Sequence, residues 1–228
     1  MKHSGLARRA ALRLVWLTLV VLAAVLLAAI VAKFLGSLVL DLSIALVFLW
    51  GVFVLFTLYF FRDPEPHVPT GRGLVLAPAH GKVDMVETTT EPRFMGNECR
   101  RISIFLSVFD VHVQYAPVAG RMAYYKHTPG QFLSALRAES ALHNEHVLLG
   151  IECAEPAGER IAVRQIAGVL ARRIRTWVQP GEEVEAGERL GLIQYGSRVD
   201  LYVPLRAEVR VKPGEHVRGG ETVLAVLA

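Results

Sequence analysis

The sequence predicts a mainly β protein, with one β-rich domain preceded by an α-helical hairpin that crosses a membrane. Three observations carry that expectation. Two long uncharged runs open the chain, short segments rich in β-formers fill the remainder, and a thirteen-residue pattern recurs near the end. The first run extends from Leu14 to Ala32 and the second from Leu42 to Phe61. As helices, both are long enough for a hydrocarbon core of about 30 Å. Two buried core helices would need polar surface that these runs do not offer. A cleaved signal peptide would not be followed at once by a second span. Lys2, Arg8, Arg9 and Arg13 precede the first run without an acidic residue among them. The positive-inside rule then leaves the N-terminus in the cytoplasm, and the hairpin returns the β-rich domain to the same side.

The expected organisation is a membrane anchor over residues 1–61, with spans at about 14–32 and 42–61. A linker follows at 62–73, and the β-rich domain occupies 74–228. "FFRDPEPHVPTGRG" (60–73) contains three prolines and two glycines, which suits a membrane exit and linker. The formal charge of +4 and a pI near 9.3 fit contact with an anionic membrane surface. No nucleic-acid partner is expected, because no basic stripe with interleaved aromatics occurs. Cys99 and Cys153 have neither metal-ligand nor redox spacing and read as cytosolic thiols.

Beyond the linker, segments such as "GLVLAPAHGKVDMVE", "RRISIFLSVFDVHVQYAPV" and "ERIAVRQIAG" alternate with turn residues at the spacing of a β-sandwich or barrel. "QFLSALRAESALHNE" (131–145) is the one stretch in which a short helix is expected. "VQPGEEVEAGERL" (178–190) and "VKPGEHVRGGETV" (211–223) then match at seven of thirteen positions. Pro-Gly makes a turn, Val packs inward, and a later Gly makes a second turn. That repeat resembles the lipoyl/biotinyl-like barrel-sandwich architecture, with "APAHGKV" as a third element of the kind. Architecture alone assigns no chemistry.

"YFFRDPEP", "FLSVFDVHVQYAPVAG", "PGQFLSA", "HNE", "VRQIAGVLARRI" and "GERLGLIQYGSRVDLYVP" together resemble the short, bacterial and archaeal type of phosphatidylserine decarboxylase. The likeness runs from about residue 59 to the end. It implies a pyruvoyl-dependent carboxy-lyase of phospholipid biosynthesis, at the inner membrane with its catalytic domain cytoplasmic. Its substrate is phosphatidylserine and its products are phosphatidylethanolamine and CO2. It further implies a proenzyme that cuts itself between Gly196 and Ser197. The Ser197 hydroxyl attacks the Gly196 carbonyl, and elimination and hydrolysis leave a pyruvoyl group, the cofactor, at residue 197. The products are a β chain of residues 1–196 and an α chain of residues 197–228, which remain partners; a homo-oligomer is open. The pyruvoyl ketone forms a Schiff base with the substrate amine and accepts electrons as CO2 departs. No metal is implied.

His112 in "FDVHV" is implied as the proton donor or acceptor. If that segment is extended, Asp110 and His112 share a face, and the carboxylate can orient the imidazole. Two departures from the family pattern stand out. His80 in "PAHG" occupies the place of an Asp implied in self-cleavage, and is itself a candidate base. Gln114-Tyr115 stands in place of Asn-Arg. Asn144, Glu145 and Arg172 match positions expected on the substrate side, and Arg173 is the neighbour of the last. Three alternatives remain. One is an uncleaved homologue without its cofactor. A second is a lysostaphin-like zinc peptidase using His80, Asp84 and a further His such as His112, His143 or His146. The third is a non-enzymatic lipoyl-like adaptor.

Overall fold

The computed structural model describes residues 5–33, 37–133, 143–168, 173–194 and 197–227. The chain divides after Asp63 into two compact units. The first holds α1 (Leu6–Ala32) and α2 (Ser37–Phe60). They pack antiparallel: Thr18, Val25, Leu46 and Phe53 line one groove between them, and Leu26, Ile30, Leu40 and Ile44 another. Their apolar spans of 26 and 22 residues are long enough to cross a membrane, at about 39 and 33 Å. Leu27, Ile30, Phe48 and Leu55 are exposed. That apolar outer surface suits lipid. The Thr18 and Ser43 hydroxyls donate back to carbonyls of their own helices, so neither needs water. α1 starts earlier than the uncharged run and takes in Arg8, Arg9 and Arg13. A helix continues through charged residues as long as its backbone ladder is kept.

The second unit is β-rich. In chain order its strands are β1 (Leu74–Leu76), β2 (Gly81–Thr90), β3 (Glu98–Leu106), β4 (Val113–Tyr115), β5 (Gly120–Thr128), β6 (His146–Cys153) and β7 (Arg160–Ala167). Then come β8 (Ile174–Thr176), β9 (Glu183–Val184), β10 (Arg189–Ile193), β11 (Ser197–Pro204), β12 (Glu208–Val209), β13 (His216–Val217) and β14 (Val223–Val226). An eight-stranded antiparallel sheet runs β13-β2-β3-β11-β7-β6-β5-β9, and two three-stranded sheets, β4-β10-β8 and β1-β14-β12, complete the barrel-sandwich. The core follows from period-two alternation. Along β11, Val199, Leu201 and Val203 enter the core, while Arg198, Asp200 and Tyr202 take the opposite face.

The thirteen-residue repeat belongs to a larger internal symmetry. Gly181 and Gly214 have φ of 96° and 102°, and Gly187 and Gly220 have φ of 76° and 73°. These left-handed turns favour glycine. Gly187 N–H donates to Ala116 O, and Gly220 N–H donates to Ala77 O. Gly181 N–H donates to Met122 O, and Gly214 N–H to Val83 O. "APAHG" (77–81) and "APVAG" (116–120) are therefore structural equivalents, each entering a long strand whose start pairs with a short edge strand. In that correspondence His80 answers to Ala119, so only one half carries an imidazole at this position.

Residues 64–68 are docked on the β-rich unit. Glu65 pairs with buried Arg189 at 3.1 Å, the Tyr115 hydroxyl donates to Pro64 O at 3.4 Å, and His67 N–H donates to Glu221 Oε1 at 3.2 Å. Proline stiffness makes that docking inexpensive in entropy. The helix expected within 131–145 falls mainly at 134–142, outside the described residues.

Candidate active site

Ser197 is the first residue of β11, the fourth strand of the large sheet. It stands opposite Leu106 on β3 and Ala167 on β7. Its side chain is fully buried, and its Oγ has no hydrogen-bond partner among the described residues. Such burial costs about 1–3 kcal/mol, so an unpaired interior hydroxyl calls for a reason. Gly196 lies outside the described residues, as does Tyr195.

Past Leu106 the chain turns. The Asp110 carboxylate accepts from Ser107 N–H at 2.8 Å, and Asp110 N–H donates to Ser107 O at 3.0 Å. This corrects the extended reading of "FDVHV". Asp110 caps its own turn, as short carboxylates do, and it is the Asp110 carbonyl that meets His112 Nδ1, at 2.9 Å. A carbonyl only accepts, so Nδ1 carries a proton and, in the neutral ring, Nε2 is the basic nitrogen. His112 is fully buried, and its own carbonyl accepts from Ile193 N–H at 3.3 Å. The His112 backbone is thereby tied to Ile193, four residues before Ser197.

Two buried glutamines tie the sheets together at this point. Gln165 Nε2 donates to Gln114 Oε1 at 3.3 Å, and Gln114 Nε2 donates to the His112 carbonyl at 2.6 Å. Gln165 stands opposite Val199, two positions along β11 from Ser197. A Cβ at Gly191 would lie 2.3 Å from Arg175 O and 3.2 Å from Gln165 Nε2. Glycine there lets β10 close on this pair.

His80 precedes Gly81, whose φ is +147° and whose added Cβ would fall 2.2 Å from Phe105 O. Lys82 pairs with Phe105 and Ser197 with Leu106. The His80 and Ser197 backbones are thus two strands apart, about 10 Å. The His80 ring meets the Tyr115 ring edge-on, with centroids 5.9 Å apart. A Cβ at Gly219 would lie 2.7 Å from that tyrosine ring, so the slot is shaped for Tyr115. The two departures from the family pattern, at 80 and 115, are therefore in contact.

Asn144 is buried and works as a strut. Its amide donates to Leu133 O at 2.8 Å and Ala167 O at 2.7 Å, and its Oδ1 accepts from Leu133 N–H at 2.8 Å. It pins the end of β7 opposite Ser197. Glu145 turns to His127, with Oε1 3.2 Å from Nε2. Arg172 lies outside the described residues; Arg173 is exposed, and its carbonyl accepts from Gln194 N–H at 3.3 Å.

On the opposite face of β11 is a polar cluster that sequence reasoning did not single out. Arg198, almost fully buried, grips both carboxylate oxygens of Asp84, with Nη1 3.1 Å from Oδ1. Asp84 is the extra residue of a β-bulge between Val83 and Met85. The Asp84 of the zinc reading is thus held by an arginine. Among the described residues no group of three His, Cys, Asp or Glu is placed to hold a metal. Asp200 Oδ1 accepts from Ser103 Oγ at 2.7 Å. Burial pushes the Asp200 carboxyl up from its ordinary pKa, opposed by Ser103 and by Arg101, Arg164 and Arg198. The signal for this cluster lay in "GSRVD", whose Arg198 and Asp200 alternate with Ser197 and Val199.

Fold and site together define a barrel-sandwich protein with an interior serine and histidine at one end of its main sheet. Residues 53–225 match the phosphatidylserine decarboxylase family, and the chain belongs to it. It is 44% identical over 179 residues to the phosphatidylserine decarboxylase proenzyme of Desulfotalea psychrophila, covering 78% of this chain and 83% of that one. It is 42% identical over 200 residues to the proenzyme of the same name from Symbiobacterium thermophilum, covering 85% and 92%. The corresponding protein of Ruegeria pomeroyi is 45% identical over 172 residues, covering 74% and 78%.

Proposed function

We propose that the protein decarboxylates phosphatidylserine to phosphatidylethanolamine and CO2, after cutting its own chain between Gly196 and Ser197. The family and its proenzyme relatives support the reaction. The observation that supports the cut is the Ser197 hydroxyl, buried at the start of a central strand without a hydrogen-bond partner among the described residues.

Ser197 Oγ attacks the Gly196 carbonyl carbon, the amide nitrogen leaves, and an ester replaces the peptide bond. Loss of the Ser197 α-proton expels the carboxylate of residues 1–196 and leaves a dehydroalanine. Its imine tautomer takes up water and releases ammonia, giving the pyruvoyl end of the α chain. Once bound in this way, the group supplies an electrophilic carbonyl for the substrate amine and accepts the electron pair released with CO2. A serine hydroxyl needs a base to become nucleophilic. His112, held by the Asp110 carbonyl, is assigned that proton and the one delivered to the product. His80 assists self-cleavage. Asn144 keeps β7 in place, and Glu145 and Arg172 are assigned to the substrate side. The basic N-terminus argues for a cytoplasmic domain at the inner membrane, where tethering raises the effective concentration of a lipid substrate.

Intact mass of the purified chain tests this reading. The expected result is a fragment of residues 197–228 whose first residue carries a ketone in place of the amine. One uncut chain after prolonged incubation overturns it.

The contact of His80 with Tyr115 yields a second expectation. His80→Asp alone sets a carboxylate against the Tyr115 ring and slows cleavage by about tenfold. Adding Tyr115→Arg restores most of the rate. Additive effects of the two substitutions, read from cleavage time courses, would show that the positions are independent.

A further inference from the structure

We propose that Phe109 and Leu133, at the Ser197 end of the large sheet, seat the domain on an anionic phospholipid surface. The inference rests on the reading that the substrate is a bilayer lipid, and it assigns residues to the contact.

Nearly all large apolar side chains of the β-rich unit are in its core. The exposed ones among the described residues are Phe109, Tyr125, Leu133 and Leu205, with Phe109 64% and Leu133 42% exposed. Phe109 and Leu133 flank the site. Phe109 is carried on the Ser107–Asp110 turn, and its N–H donates to Ser107 Oγ at 3.3 Å. Leu133 has both backbone groups held by the Asn144 amide that also holds Ala167 opposite Ser197. Its neighbour Phe132 packs on the core. Both side chains are therefore carried on pinned backbone. Phe109 follows β3 and Leu133 follows β5, four strands away in the sheet.

The charges around them complement a negative surface. Lys82 and Arg173 are exposed at this end. Three neighbouring carboxylates are engaged: Asp110 accepts from Ser107, Glu145 faces His127, and Asp84 is gripped by Arg198. Exposed apolar side chains with flanking cations are the composition that settles at the boundary between headgroups and acyl chains.

The test uses the full chain in bilayer discs of phosphatidylcholine and phosphatidylglycerol, an anionic lipid without the serine headgroup. Phe109→Cys, Leu133→Cys and Leu205→Cys each carry an environment-sensitive dye; the native Cys99 and Cys153 are buried. Leu205 is the control, since adjacent Pro204 pairs with Cys99 at the other end of the sheet. Lipids with brominated chains should quench the dye at 109 and 133 and spare it at 205. Equal quenching of all three by aqueous iodide overturns the proposal. Shielding of 109 and 133 from both quenchers also overturns it, and points to contact between copies. This readout stands even if the decarboxylase reading fails. With phosphatidylserine vesicles, joint Phe109→Asp and Leu133→Asp substitution should raise KM about tenfold with kcat within about twofold. Leu205→Asp should leave KM unchanged; an unchanged KM in the double variant counts against the proposal.

Discussion

Ser197→Ala yields one uncut chain of 228 residues with no decarboxylase activity. The substitution separates chemistry from folding because the hydroxyl has no hydrogen-bond partner to lose among the described residues. Replacing an unpaired buried hydroxyl by a methyl group is neutral or slightly stabilising. The thermal midpoint should therefore match the parent while cleavage and turnover vanish together. Electrophoresis, intact mass and a CO2-release assay check the three quantities on one preparation. A cut, active Ser197→Ala chain would sink the assigned nucleophile. An uncut chain with a collapsed midpoint would mean that the hydroxyl is structural.

Asp84→Ala is expected to have the largest effect on stability. It takes the bidentate partner from the buried Arg198 guanidinium and leaves only the weaker pull of Asp200; breaking a buried pair in this way costs about 3–5 kcal/mol. The lower end applies here, because the Asp84 side chain is 31% exposed and water screens part of the loss. Replacing both residues by leucine removes the stranded charge, so the Asp84→Leu, Arg198→Leu chain should be more stable than Asp84→Ala. Denaturant melts of parent, single and double variants decide the matter. A single variant as stable as the parent would show that the pair contributes nothing. Arg198 is the residue next to Ser197, so the single variant should also cut more slowly at a temperature where it is folded.

The parts legible in the sequence were those written in local patterns. Pro-Gly turns and later glycines placed the repeated turns because their positive φ values require that residue type. The uncharged runs marked the helices because no polar side chain interrupts them. Gly196-Ser197 was legible through the family blocks that surround it. What was not legible depends on partners distant in the chain. Arg198 finds Asp84 only through a bulge in β2 that no pattern in "HGKVDMVE" announces. Gln114 and Gln165 meet because two sheets close, and Asn144 reaches Ala167 across a strand boundary. The extended reading of "FDVHV" failed because one aspartate could satisfy the backbone of a turn. Residues 62–73 read as a linker from their prolines, and nothing in composition distinguishes a loose linker from one docked through Glu65 and His67.

β11 is bordered by β3, some ninety residues earlier in the chain, and by β7, about thirty residues earlier. Contacts of such long separation form late, since the loops between them must close first. Ser197 is thus enclosed by both neighbours only once both long loops have closed. Before that its hydroxyl is in water, an ordinary serine. On the proposed self-cleavage the cut would wait for the closed sheet, and a misfolded chain would stay whole.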